Sequence, residues 1–403
     1  MQNKTIILLL AGATLLLGGC MDMGEPYEEG LNRLTVKAVY PEGFTAGEGA
    51  AVSIESISGG TAYKLTTNSS ATAETRLPNG IYRVSVSDRS GNDLFNGTLD
   101  KVLVSDEDVS LSVDLLHSKA GALVIKELYC GGCSKLPEEG NYQSDQYVIV
   151  HNNDRYTTYL DGLCLGTLSP YNSTSANPWL DEDGNFPDFV PVIQAVWKIG
   201  GSGTSFPLEA GADAVICLRG AINHTAQYPL SVNLNHEGYF VCYNPVYFPN
   251  PTYHPAPGDL IEESRYLEVV IKTGQANAYT LSLNSPTFVL FRAPDGTTIH
   301  DFVARPENLV QVPGSAIDRV VTVPVSWVED GMEVFNGGSS DNHKRLSPAI
   351  DAGYVSLSEV YKGHTLMRKK DLEASEAAGF EVLQDTNNSS ADFYERETQS
   401  LHE

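Results

Sequence analysis

The sequence predicts an all-β protein made of two β-sandwich domains, the second elaborated by long loop insertions. Three observations predict it. Apolar residues recur at every second position in short runs, most clearly Val109, Leu111, Val113 and Leu115, with Ser110, Ser112 and Asp114 between them. That period puts one face in a core and the other in water. Turn-forming clusters such as Pro78-Asn79-Gly80 and Gly91-Asn92-Asp93 interrupt the runs. Charged residues make up only 19% of the chain while 41% is apolar, a balance that suits strands with polar turns better than amphipathic helices.

In chain order, residues 1–19 read as a lipoprotein signal peptide. Lys4 precedes an apolar run from Ile6 to Leu17, and Leu17-Gly18-Gly19-Cys20 closes it. The run is too short for a spanning helix, which needs about 20 apolar residues, but it fits the core of a secretory signal. The segment resembles a bacterial lipobox, which implies lipidation of Cys20. Several acyl chains would make a stable anchor, since each buried methylene contributes about 0.8 kcal/mol. Met21 after the Cys then implies sorting to the outer membrane. Residues 20–31 form an acidic tether with four acids between Met21 and Gly30, which points to display on the cell exterior.

Residues 32–117 read as one small sandwich. Leu34, Val36, Ala38 and Tyr40 alternate with polar neighbours, as do Tyr82, Val84 and Val86. The stretch Leu77-Pro-Asn-Gly-Ile-Tyr-Arg-Val84 resembles the turn and core strand of carboxypeptidase-regulatory-like, transthyretin-type domains, which commonly serve as spacers or adhesion units.

Residues 118–403 form the longer region. Ile125-Lys-Glu-Leu128, Tyr147-Val-Ile-Val-His-Asn152 and Leu160-Asp-Gly-Leu-Cys-Leu165 resemble the opening strands of lamin-tail-type, immunoglobulin-like domains, with insertions at about 167–345. Strands are expected over 214–218, 239–243, 269–272, 279–283 and 288–292. Only 371–378 reads as a helix, with Asp371 as N-cap and Gly379 as its stop. The layout as a whole resembles an uncharacterised family of bacterial cell-surface lipoproteins.

The formal charge of −25, from 51 Asp and Glu against 26 Lys and Arg, repels phosphate backbones and argues against a nucleic-acid partner. The chain lacks the His-Glu-x-x-His, Gly-x-Ser-x-Gly and phosphate-loop motifs. No catalytic residue, resident metal or cofactor is therefore expected, and the chain reads as a non-enzyme. The resemblance implies a non-catalytic binding or accessory subunit anchored in the membrane by lipid. Its partner would be an outer-membrane β-barrel transporter, TonB-dependent and carrying a nutrient or metal complex, or a surface polymer. An adhesin or surface-assembly protein is the second reading, and a hydrolase the third.

Four sets of residues are candidates for chemistry. Cys130-Gly-Gly-Cys133 is open to a local disulfide, to plain thiols, or to metal or redox use. Asp181, Asp183 and Asn185 place oxygens at alternate positions, as a calcium loop does. Gly184 and Val192 fall where that pattern wants other residues, so an acidic turn competes. His224, His236 and His254 share one insertion without metal spacing. Finally, Tyr243, Tyr247, Phe248 and Tyr253 punctuate a stretch stiffened by prolines, where a carbohydrate or protein could stack. The competing reading is a loop whose aromatics pin it to the sandwich.

Overall fold

A computed structural model describes residues 30–45, 47–58 and 61–402. Cys20, its leader and most of the acidic tether lie outside these residues. Among the described residues the chain is all-β, with 26 strands in several sheets against three short α-helices. No helix among them is long and apolar enough to cross a membrane.

The first unit packs a three-stranded sheet on a five-stranded one. In the smaller sheet, Leu31–Val39 lies between Thr72–Pro78 and Val109–Asp114. The larger runs in the order Ala62–Thr66, Ala51–Ser56, Gly80–Ser90, Asp93–Val104, Leu116–Lys119. Alternation does what the sequence expects: Leu34, Val36 and Ala38 meet Val52, Ile54, Val84 and Val86 in one core. The Pro78-Asn79-Gly80 turn has a specific reason for its spacing. The Tyr82 hydroxyl donates to the Pro78 carbonyl at 2.8 Å, and a Cβ on Gly80 would come within 3.2 Å of the Tyr82 ring.

Two larger sheets build the second unit. One is six-stranded, in the order Phe240–Val241, Asp213–Cys217, Tyr147–Asn152, Leu123–Tyr129, Thr365–Arg368, Phe393–Arg396. The other runs Leu309–Gln311, Arg319–Pro324, Phe189–Lys198, Cys164–Leu168, Thr287–Phe291, Val328–Asn336, Val355–Leu357, with Glu268–Lys272 also pairing to Phe189–Lys198. Leu128, Val148, Leu165, Trp197, Ile216 and Leu290 share the core between them. The stretch 167–345, read from sequence as insertion, thus supplies much of the larger sheet.

Several central strands, such as Tyr147–Asn152 and Thr287–Phe291, are buried along their whole length. Their outer faces are covered too. Val232, Leu234 and Ile261 from connecting segments pack on Tyr147, Ile149 and Val215. On the other side, Ile299, Val303 and Leu346 pack on Val192, Val289 and Phe291. A strand buried on both faces has no reason to alternate, which is why these runs read as continuous apolar segments.

Three expectations about elements are corrected. Residues 279–283 form no strand, and 239–243 shrinks to Phe240–Val241. The expected helix is present as Leu372–Ala378, with Asp371 capping the Ala374 amide and Gly379 left-handed at φ +78°. Two more short helices, Ile299–Val303 and Ser389–Asp392, are capped by Thr298 and Asn388; each is too brief to show a helical period.

The two units touch through 351–354 and 385–390. Arg89 and Asn96 donate to the carbonyls of Asp385 and Thr386 at 2.9 and 3.0 Å. Asn388 donates to Ser87 at 2.9 Å and the Tyr354 hydroxyl to Glu55 at 2.6 Å. The Arg83 guanidinium lies 5.0 Å from the ring centres of both Phe335 and Tyr354. Behind this contact Arg368 is buried with three carboxylates: Asp330 at 2.5 Å, Asp385 at 3.2 Å and Asp392 at 3.7 Å.

Candidate functional site

Arg219 follows the strand Asp213–Cys217, and the ladder continues on both sides of it. Leu218 N–H donates to the Gln146 carbonyl at 2.8 Å and Gly220 N–H to the Ser144 carbonyl at 3.1 Å. Gly220 has to be small: a Cβ there would come within 2.9 Å of the Ser144 carbonyl and 3.0 Å of Pro255. The proline-rich loop can therefore close onto the strand end.

Residues 279–283 run alongside, and two glutamine side chains serve their backbone in place of a neighbouring strand. Gln194 donates to the Thr280 carbonyl at 2.7 Å and accepts from the Thr280 N–H at 3.3 Å. Gln146 does the same for Leu281, at 3.5 and 3.3 Å. Gln194 is free to reach because it sits at φ +66°, where the pairing of Phe189–Lys198 with Cys164–Leu168 shifts register. Amide side chains can replace ladder bonds one for one, so no strand is needed there.

Between these elements opens a cleft of about 420 Å³. Gln143, Tyr171, Asn172, Ser282 and Asn284 give it polar groups, Leu281, Leu283 and Val360 an apolar floor, and Arg219 and Tyr253 stand beside them. Tyr171 hydrogen-bonds the Thr280 hydroxyl at 3.0 Å, and Ser282 donates to Asn172 at 2.7 Å. Arg219 is 1% exposed. Its Nε donates to the Tyr253 carbonyl at 3.4 Å and its Nη1 to the Gln143 carbonyl at 2.7 Å, while the guanidinium lies 5.0 Å from the Tyr253 ring centre. Burial draws the guanidinium pKa down from its usual value.

The four aromatics picked out in the loop separate into two kinds. Phe248 is buried, stacked on Trp197 at 5.6 Å, and so is a core residue rather than a ligand platform. Tyr243 is half-buried and stacks on His254 at 5.4 Å. Tyr247 and Tyr253 remain exposed at 43% and 39%, and of the two only Tyr253 lines the cleft. His254 accepts from the Asn244 N–H at 3.2 Å; burial, with Arg219 nearby, lowers its pKa to about 4.

The other candidates go elsewhere. Cys130 and Cys133 are both buried free thiols, which corrects the disulfide reading. The Cys130 thiol faces the Leu283 carbonyl and the Cys133 thiol the Asp145 carboxylate, each at 3.6 Å. Burial raises both pKa values to about 12, leaving them inert as nucleophiles. Asp181 closes its own turn, accepting from the amides of Asp183 and Asn185 at 3.0 and 2.8 Å and from the Asn185 side chain at 3.0 Å. That Asn185 contact turns a donor toward the acid, which is the geometry of an acidic turn. His224 donates from Nε2 to the Gly220 carbonyl at 2.7 Å and accepts from the Tyr142 hydroxyl at 2.6 Å, so both nitrogens are used.

His151, Asp213 and Glu381, which no sequence motif marks, stand close enough together to suggest a metal site. Lys126 occupies that role with its ammonium, 2.6 Å from Asp213 and 2.5 Å from Glu381. His151 bonds Asp213 at 2.6 Å and the Glu381 carbonyl at 2.9 Å. The group is a salt-bridge network in which the Lys126 ammonium already lies between the two carboxylates, and Lys370 approaches Glu381 at 3.9 Å.

Sequence reasoning found Tyr253 but missed Arg219, Tyr171 and the polar wall. One signal was present. Arg219 closes the apolar run 214–218 with no acid within five residues on either side, and a cation at the end of a buried strand needs an explanation.

Residues 209–400 match the model of a family described as a protein of unknown function (DUF4876). Among solved structures the chain is similar to a DUF4876 family protein from Bacteroides thetaiotaomicron VPI-5482, at 24% identity and a TM-score of 0.59, over 91% of this chain and 96% of that one. A streptococcal ancillary pilin aligns over 47% of this chain and 53% of its own at 14% identity, with a TM-score of 0.18, too low to carry an argument. No curated protein matches the chain.

Proposed function

We propose that this chain is a non-catalytic binding protein, anchored by lipid on Cys20 at the exterior of an outer membrane, that presents ligand to a TonB-dependent β-barrel transporter. The observation that carries the binding role is the cleft at Tyr253. It has the size of a small-molecule site, an exposed aromatic ring and a wall of amides and hydroxyls. None of its lining residues is a His, Cys, Asp, Glu or Lys, so no nucleophile in it has a base beside it. The Leu17-Gly18-Gly19-Cys20 motif supports the anchor, and the acidic tether supports outward display. In this reading the first unit is a regulatory-like spacer and the second a lamin-tail-like module that carries the cleft. Cys20→Ala should move the protein from the membrane to the soluble fraction, and the lipidated wild type should co-purify with a β-barrel. A Cys20→Ala protein still found wholly in the outer membrane would overturn the anchor, and recovery without any barrel would overturn the accessory role.

A further inference from the structure

Among the described residues Arg219 is the single charged side chain lining the cleft, in a chain where acids outnumber bases 51 to 26. A buried charge is expected to be paired, because taking it out of water costs several kcal/mol. Arg219 donates only to two neutral carbonyls. Among the described residues no carboxylate forms an ion pair with it, and its Nη2 makes no hydrogen bond. The charge of Asp145 reaches it, but one oxygen of Asp145 is taken by Ser231 at 2.6 Å and Tyr129 at 3.1 Å, and the other has no partner among the described residues. A guanidinium carries five N–H donors in a fork shaped for a carboxylate.

We propose that Arg219 receives the carboxylate of an acidic sugar, a uronic acid unit, whose ring lies against Tyr253. This rests on the reading of the cleft as a binding site and gives that site its ligand class. The surroundings favour a sugar. Asn172 and Asn284, whose side-chain oxygens already accept from Ser282 and Ser285, turn amide donors to sugar hydroxyls, Gln143 adds a further amide, and Tyr253 supplies an exposed face. A phosphate would concentrate its charge on one centre in the field of a chain of net −25, with one cation to meet it; each uronic acid unit brings only one carboxylate, and its neighbour lies a ring away.

The test is calorimetric titration of the full mature chain with digalacturonate, with the same sugar as its neutral amide, and with inorganic phosphate. Digalacturonate should bind at least tenfold tighter than the amide and tighter than phosphate, and Arg219→Met should abolish that preference. Tyr253→Ala should weaken both sugars alike. Equal binding of acid and amide, with loss on Tyr253→Ala, overturns the carboxylate assignment and leaves the cleft standing. Binding of no sugar, or binding indifferent to Tyr253→Ala, overturns the cleft itself. Tighter binding of phosphate than of digalacturonate overturns the sugar. The acid–amide comparison needs only wild-type protein, so it decides the matter even if Arg219→Met does not fold.

Discussion

Phe248 and Tyr247 are chain neighbours with opposite roles. Phe248 is 1% exposed between Trp197 and the Lys272 ammonium, which lies 5.1 Å from its ring, whereas Tyr247 is 43% exposed. Truncating a buried Phe leaves a cavity and costs about 3–5 kcal/mol. Truncating an exposed ring away from such contacts changes stability by about 0.5 kcal/mol or less. Phe248→Ala should therefore lower the urea midpoint strongly and Tyr247→Ala barely; equal midpoints for the two variants would contradict the pinned-loop picture. Residues 243–259 showed in sequence that aromatics mattered there, but not which way each one faced. A proline-rich loop has no period, so nothing local distinguishes an inward ring from an outward one. Arg219 was hidden for a related reason: its meaning depends on which carbonyls surround it.

At the scale of elements, the failed strand at 279–283 is the informative case. Its apolar alternation is genuine, and Tyr279 and Leu281 do point into the core. What makes a strand is a partner for its backbone, and here the partners are Gln194 and Gln146, which are 86 and 135 residues distant from their contacts. No local pattern can announce such a substitution. Removing Gln194 by Ala deletes both bonds to Thr280; the Tyr171 hydroxyl still reaches the carbonyl at 3.4 Å, but the half-buried amide loses its partner, at a cost of about 1 kcal/mol. Hydrogen exchange at the Thr280 amide should accelerate in that variant, while Leu281, held by Gln146, stays closer to wild type. Unchanged protection at Thr280 would show that the amide clamp is incidental. The first unit, by contrast, was legible strand by strand because its sheets alternate, and the helix 372–378 was legible because both of its end signals are local.

Across the whole molecule, the Arg368 cluster couples stability to pH. Burial, with three acids sharing one guanidinium, raises Asp330 to about 7 and Asp392 to about 6. Both then hold protons in the folded chain over a range, roughly pH 4 to 7, where the unfolded chain has lost them. Their contribution is complete at the acid end and falls as pH rises through that window. Burial lowers His254 and His224 instead, and those groups act in the opposite sense below about pH 6.5. The Asp330→Asn variant separates the two effects, because Asn stays neutral throughout. Measured by denaturant unfolding, its stability relative to wild type should improve from pH 5 to about pH 7 and then level off; a flat difference would mean that Asp330 is ionised throughout. Nothing in the sequence hints at this cluster, since its members come from two strands, a loop and a short helix that meet only on folding.

The join between the two units has a mechanical consequence. Leu116–Lys119 and Leu123–Tyr129 are separated by three residues, and Gly121 among them lies so near the Glu329 carbonyl that a Cβ would sit 2.6 Å from it. Away from that short splice, Tyr354 grips Glu55 and, with Phe335, the Arg83 guanidinium. A body hung from two points does not swivel, so whichever way the leading unit is turned, the mouth beside Tyr253 is aimed with it.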